Sequence, residues 1–89
     1  VRSKNSAALT ASERAHMERL RMLPCSVCDA PGPSFAHHIN QGHHFTAISV
    51  CESCHTSNFN GIHGQKRAWI VRKLDEISAL NITLKRLNA

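Results

Sequence analysis

The chain has no tyrosine, one tryptophan and three phenylalanines among its 89 residues. So few aromatic side chains make a sparse core. A domain this short buries little surface in any case, so a covalent or metal staple is expected. No apolar run approaches the roughly 18 residues of a membrane span, which argues against a membrane partner. No secretory signal is visible, and no cysteine lies outside two C-x-x-C pairs, Cys25/Cys28 and Cys51/Cys54. A disulfide framework is one use of four such cysteines. Without a secretory signal, paired knuckles favour zinc and a reducing, intracellular setting.

Acidic residues are scarce too. Six stand against eleven Lys and Arg, for a net charge of +5. The excess lies at the two ends. Residues 1–24 carry Arg2, Lys4, Arg14, Arg19 and Arg21 against Glu13 and Glu18, and residues 66–89 carry Lys66, Arg67, Arg72, Lys73, Lys85 and Arg86 against Asp75 and Glu76. Between them stand only Asp29 and Glu52. Basic flanks around a near-neutral centre suit a polyanion gripped on both sides of a site. Small soluble domains are often mildly basic, so charge alone does not decide for nucleic acid.

Residues 1–10 read as a flexible, basic arm, and residues 11–89 as one domain. Thr10 or Ser12 caps a helix predicted to run to about Leu23, where Pro24 ends it. Its apolar positions are Ala15, Leu20 and Leu23, with Met17 and Met22 near the seam. Pro31-Gly32-Pro33 forces a turn. Residues 34–39 and 45–50 alternate as two short strands that pair as a hairpin with the knuckles at its base. Phe35 and Phe45 are expected in the hairpin core. A longer helix is predicted from about Gln65 to Leu80, anchored by Trp69 and broken by Asn81. The tail 82–87 fits a strand or a helical turn equally well.

The pattern C-x2-C-x22-C-x2-C suits one tetrahedral zinc held by Cys25, Cys28, Cys51 and Cys54. A redox dithiol would need a βαβ context that neither knuckle has. Seven histidines remain. His16 reads as a surface residue, and His43 and His44 as exposed loop residues. His37 and His38 are adjacent on a strand and so face opposite sides. His55 is fixed by the second knuckle. His63, bracketed by Gly61 and Gly64, can curl back toward it. A purely structural metal site has no use for this surplus, whereas a catalytic one does. The N–H groups at the start of the later helix, from Gln65 to Arg67, are candidates for a phosphate.

These residues resemble a known family. Ala36-His37-His38-Ile39 on a hairpin strand, followed by Val50-Cys51-Glu52-Ser53-Cys54-His55 and preceded by Cys25/Cys28, looks like the ββα-metal motif of zinc-knuckle HNH nucleases. The likeness covers roughly residues 24–64. With Gly61-Ile62-His63-Gly64 and the basic helix after it, the chain looks most like the phage recombination-enhancement (Ref-type, RecA-dependent) nucleases. The resemblance implies an α+β fold: a small zinc-stapled ββα-metal domain with flanking helices. It implies His38 as general base, and His37, His55 and His63 as ligands of a catalytic Mg2+ or Mn2+ beside the structural Zn2+. One departure concerns the central asparagine of the HNH pattern, expected nine residues before the helix histidine. Thr46 stands there, and either Thr46 or Asn40 is left to orient the base.

The activity so implied is metal-assisted hydrolysis of DNA phosphodiester bonds in a bacterial cytoplasm, in phage or prophage recombination. A RecA-type recombinase filament is a possible partner. Arg19, Arg21, Lys66, Arg67 and Arg72 would hold the DNA backbone, with little reading of sequence. An all-histidine site is borderline-soft, so Mn2+, Ni2+ or Zn2+ should bind more tightly than Mg2+. The competing reading is a non-catalytic zinc-stapled module that binds nucleic acid.

Overall fold

A computed structural model describes residues 9–89. Most of the expected N-terminal arm, residues 1–8, lies outside the described residues. The elements run α1 (Ala11–Arg21), β1 (Phe35–His38), a single 3-10 turn (His44–Thr46), β2 (Ala47–Val50), α2 (Glu52–His55), α3 (Arg67–Val71) and α4 (Glu76–Leu87). The class is α+β, with a two-stranded sheet among helices. Among the described residues no helix is long and apolar enough to cross a membrane.

Local chemistry accounts for the first half. Thr10 caps α1 in a reciprocal box. Its hydroxyl accepts from the Glu13 N–H at 3.1 Å, and the Glu13 carboxylate accepts from the Thr10 N–H at 2.9 Å. Met17 and Leu20 bury against Ala47, while Ala15 and Met22 of the expected stripe are exposed. The strands pair antiparallel, with Phe35 opposite Val50, Ala36 opposite Ser49, His37 opposite Ile48 and His38 opposite Ala47. All of β2 is buried, because α1 covers Ala47 while Ile48 and Val50 pack with Trp69, Val27 and Ala79. Phe35 and Phe45 are not core, since about half of each remains exposed. The small Ala47, not Phe45, is the buried hairpin residue under Met17 and Leu20 of α1.

The predicted helix from Gln65 to Leu80 is two helices. Lys73 adopts a left-handed conformation (φ 56°). Its N–H bonds to the Ile70 carbonyl and that of Leu74 to the Trp69 carbonyl, each at 3.0 Å. This is the double bond pattern that closes a helix. Asp75 then caps α4, accepting from the Ser78 N–H at 2.7 Å. Asn81 lies inside α4, and the undecided tail is helical.

Helix α4 is tied to the first knuckle by polar contacts. Thr83 Oγ1 lies 2.7 Å from Ser26 Oγ, which lies 2.9 Å from Ser49 Oγ, and all three residues are buried. Thr83 donates to the Ala79 carbonyl and Ser49 to the Pro24 carbonyl, which leaves the one Ser26 hydrogen for either of its neighbours, so each of these three hydroxyls donates one bond. Arg86 reaches the Cys25 carbonyl at 3.2 Å and pairs with Asp29.

Candidate metal centres

The two knuckles meet at the base of the hairpin. One sulfur from each of Cys25, Cys28, Cys51 and Cys54 lies within 4.8 Å of the others, and all four thiols are free. Cys28 Sγ and Cys51 Sγ stand 3.7 Å apart. Two thiolates on one tetrahedral zinc, each about 2.3 Å from it, would stand about 3.8 Å apart. The donor set therefore fits zinc. Backbone N–H groups of Val27 and Cys28 point at Cys25 Sγ. Burial opposes ionisation of Cys25, but N–H groups of Cys28, Cys51 and Val27 outweigh it and draw the thiol below its ordinary value. Burial raises Cys28 and Cys54, and contact with the neighbouring sulfurs raises them further. A divalent cation is what would hold all four as thiolates.

A second cluster lies apart from the sulfurs. His37 from β1, His55 from the end of α2 and His63 from the following loop each offer a nitrogen within 4.8 Å of the other two. His55 Nε2 and His63 Nε2 are 3.1 Å apart. Two nitrogens bound at right angles, about 2.1 Å from one ion, would stand about 3.0 Å apart. Burial first, then the charges of His37 and His63, hold His55 below the ordinary histidine value, which favours the neutral, metal-binding form.

The return of His63 depends on two glycines. A Cβ at Gly61 would meet the His55 and Ser57 carbonyl oxygens at 2.7 Å, and one at Gly64 would meet the Asn58 carbonyl oxygen at 2.5 Å. These neighbours are backbone and cannot swing aside. The tight curl is sealed by the His63 N–H on the His55 carbonyl and the Ile62 N–H on the Cys54 carbonyl.

His38 faces away from this cluster. Its Nε2 lies 3.0 Å from Nδ1 of His44. His44 is thus half-buried against His38 rather than an exposed loop residue. Burial, then the charges of His44, His37 and Arg21, lowers the His38 pKa, which keeps it neutral near pH 7. Thr46 donates its hydroxyl to the His43 carbonyl at 3.1 Å, and the His43 N–H bonds to the Asn40 carbonyl. Thr46 and Asn40 therefore both brace the turn that carries His44.

The remaining expected residues are dispersed. Arg21 is exposed, on the His38 side. Arg19 donates to the Leu87 carbonyl at 2.7 Å, clasping α1 to the end of α4. Arg67 lies over the Phe59 ring, 4.9 Å from its centroid, and with Arg72 and Asn60 lines an open cavity of about 300 Å³ by the second knuckle. Lys66 is exposed. The N–H groups of Gln65, Lys66 and Arg67 are not free for a phosphate, because they bond to the Asn58, Gly61 and Phe59 carbonyls. His16 is not simply a surface residue. Its ring packs 5.0 Å from that of Phe45, and its Nε2 is buried without a partner.

Two members of the histidine sites were not found from sequence. His44 reaches His38 across the hairpin turn. Glu76, at the start of α4, places Oε2 2.6 Å from His37 Nε2. The pair is 39 residues apart in the chain, and no local pattern marks it. No family model, curated protein or solved structure matches the chain.

Proposed function

We propose that this protein is a metal-dependent DNA endonuclease that hydrolyses phosphodiester bonds. The observation that carries the reading is the gathering of His37, His55 and His63 from three separate elements, as a set distinct from the cysteine cluster. A structural role for the histidines would not need three convergent ring nitrogens.

A divalent metal held by His37, His55 and His63 would supply Lewis-acid stabilisation of charge developing on the phosphate and the leaving oxygen. His38, on the other face of β1, takes the proton of the attacking water. In the tautomer whose Nε2–H donates to His44 Nδ1, the free lone pair of His38 is on Nδ1, and that atom receives the proton. The turn braced by Thr46 and Asn40 does the orienting work that an asparagine performs in the resembled family. Arg21, Lys66, Arg67 and Arg72 are the candidate phosphate contacts, and they read no sequence. The likeness to Ref-type nucleases motivates a phage or prophage role in recombination, with a recombinase filament presenting the DNA.

The test is nicking of supercoiled plasmid with Mg2+ or Mn2+, with and without a recombinase-coated single strand. Nicking that is lost in His38→Ala at unchanged zinc content supports the reading. Nicking only beside the filament supports the recombination role. DNA binding without cleavage under every condition replaces the nuclease with a zinc-stapled nucleic-acid-binding module.

A further inference from the structure

We infer that Glu76 belongs to the histidine centre as a positioning residue, fixing which nitrogen of His37 faces the metal. The inference rests on the reading of His37, His55 and His63 as a metal site. His37 is 7% exposed, so little water competes for its ring nitrogens. Glu76 Oε2 lies 2.6 Å from its Nε2. A carboxylate offers only lone pairs, so the hydrogen on that contact belongs to His37 Nε2. A neutral imidazole with its proton on Nε2 has one lone pair, on Nδ1. Glu76 therefore selects Nδ1 as the donor toward the ion shared with His55 and His63.

The route by which Glu76 arrives supports the assignment. The helix that carries Trp69 is closed by the left-handed Lys73, and α4 begins at Glu76 behind its cap Asp75. Without that break the chain would continue along the α3 axis. With it, the first residue of α4 reaches the histidine cluster. The plain alternative is a first-turn acid that merely favours the helix end. Such a residue would leave metal affinity unchanged when neutralised.

The test is calorimetric titration of the zinc-loaded chain with Ni2+, for the native protein, Glu76→Ala and Glu76→Gln. Glu76→Ala should bind Ni2+ about 10- to 100-fold more weakly at unchanged zinc content. Glu76→Gln, which keeps a neutral acceptor oxygen, should lose less and also serves if the alanine variant fails to fold. In the nitrogen NMR spectrum, His37 should carry its proton on Nε2 in the native chain and lose that preference in Glu76→Ala. Native binding matched by both variants, or metal on His37 Nε2, overturns the role of Glu76 alone. A native chain that binds no Ni2+ beyond its zinc overturns the histidine centre itself, and this inference with it.

Discussion

His38 Nε2 and His44 Nδ1 stand 3.0 Å apart, joining the strand to the turn that follows it. If His44 holds the ring of His38 in register, His44→Ala should slow nicking by up to about 10²-fold through misorientation of the base. His38→Ala should cost about 10² to 10⁴-fold. The zinc content of both variants should equal that of the native chain. A His44→Ala enzyme of native rate would remove His44 from the site.

Removal of zinc should unfold the base of the hairpin. The four cysteines lie at the junction of β1, β2 and α2, and Cys25 and Cys54 are themselves core residues. Dialysis against a strong chelator under reducing conditions should abolish the cooperative melting transition, and zinc alone should restore it. A chelated chain with an unchanged Tm would show that packing suffices without the staple.

Trp69 joins α3 to the second knuckle. It is 1% exposed, and its Nε1 donates to the Cys54 carbonyl at 2.8 Å. Trp69→Ala should cost about 3–5 kcal/mol in chemical denaturation. The Cys54 carbonyl also accepts from the Ile62 N–H, so Trp69→Phe leaves no orphaned acceptor. Its hydrogen-bond penalty should therefore be only about 1 kcal/mol, apart from the lost volume.

The buried hydroxyl chain gives a test of α4 docking. Thr83→Val keeps the shape but removes the partner of Ser26 Oγ and of the Ser49 N–H. A loss of about 1–3 kcal/mol is expected. Additional replacement of Ser26 by alanine should recover part of it, because that orphaned hydroxyl goes too, whereas the backbone N–H of Ser49 stays. A neutral Thr83→Val would mean that the buried hydroxyl chain does not hold α4 and that its other contacts, Arg86 to the Cys25 carbonyl among them, suffice.

Acid should weaken the fold through His16. Burial, then the charge of Arg19, holds its pKa below the ordinary value. The unfolded chain thus binds the extra proton first as pH falls. The contribution of His16 is fully present above about pH 6.5 and is lost as pH drops through that value toward the depressed one. His38 and His55 are shifted in the same direction. His16→Leu should flatten the dependence of Tm on pH between about 5 and 7 without removing it. An unchanged slope would put the whole effect on the other histidines.

What the sequence determined by itself is what short-range chemistry determines. Thr10 with Glu13 marks a helix start because both partners of the cap lie within one turn. The knuckles mark a sulfur cluster because each pair of ligands is local, and period-two alternation marks the hairpin. The opposite faces of His37 and His38 follow from strand geometry, and the glycines on either side of His63 announce its tight return. Asp75 with Ser78 was also a legible helix start, but the apolar spacing from Trp69 to Leu80 ran straight across it. The tertiary structure decided what depends on distant neighbours. Ala47 is buried against Met17 and Leu20 of α1, while Phe45 stays half exposed and packs on His16 at the edge of that helix. His44 folds back onto His38, Arg19 is spent on the end of α4, and Glu76 meets His37 only because Lys73 turns the chain. Such pairings are fixed by packing and by the satisfaction of buried polar groups, and neither leaves a periodic trace in the sequence.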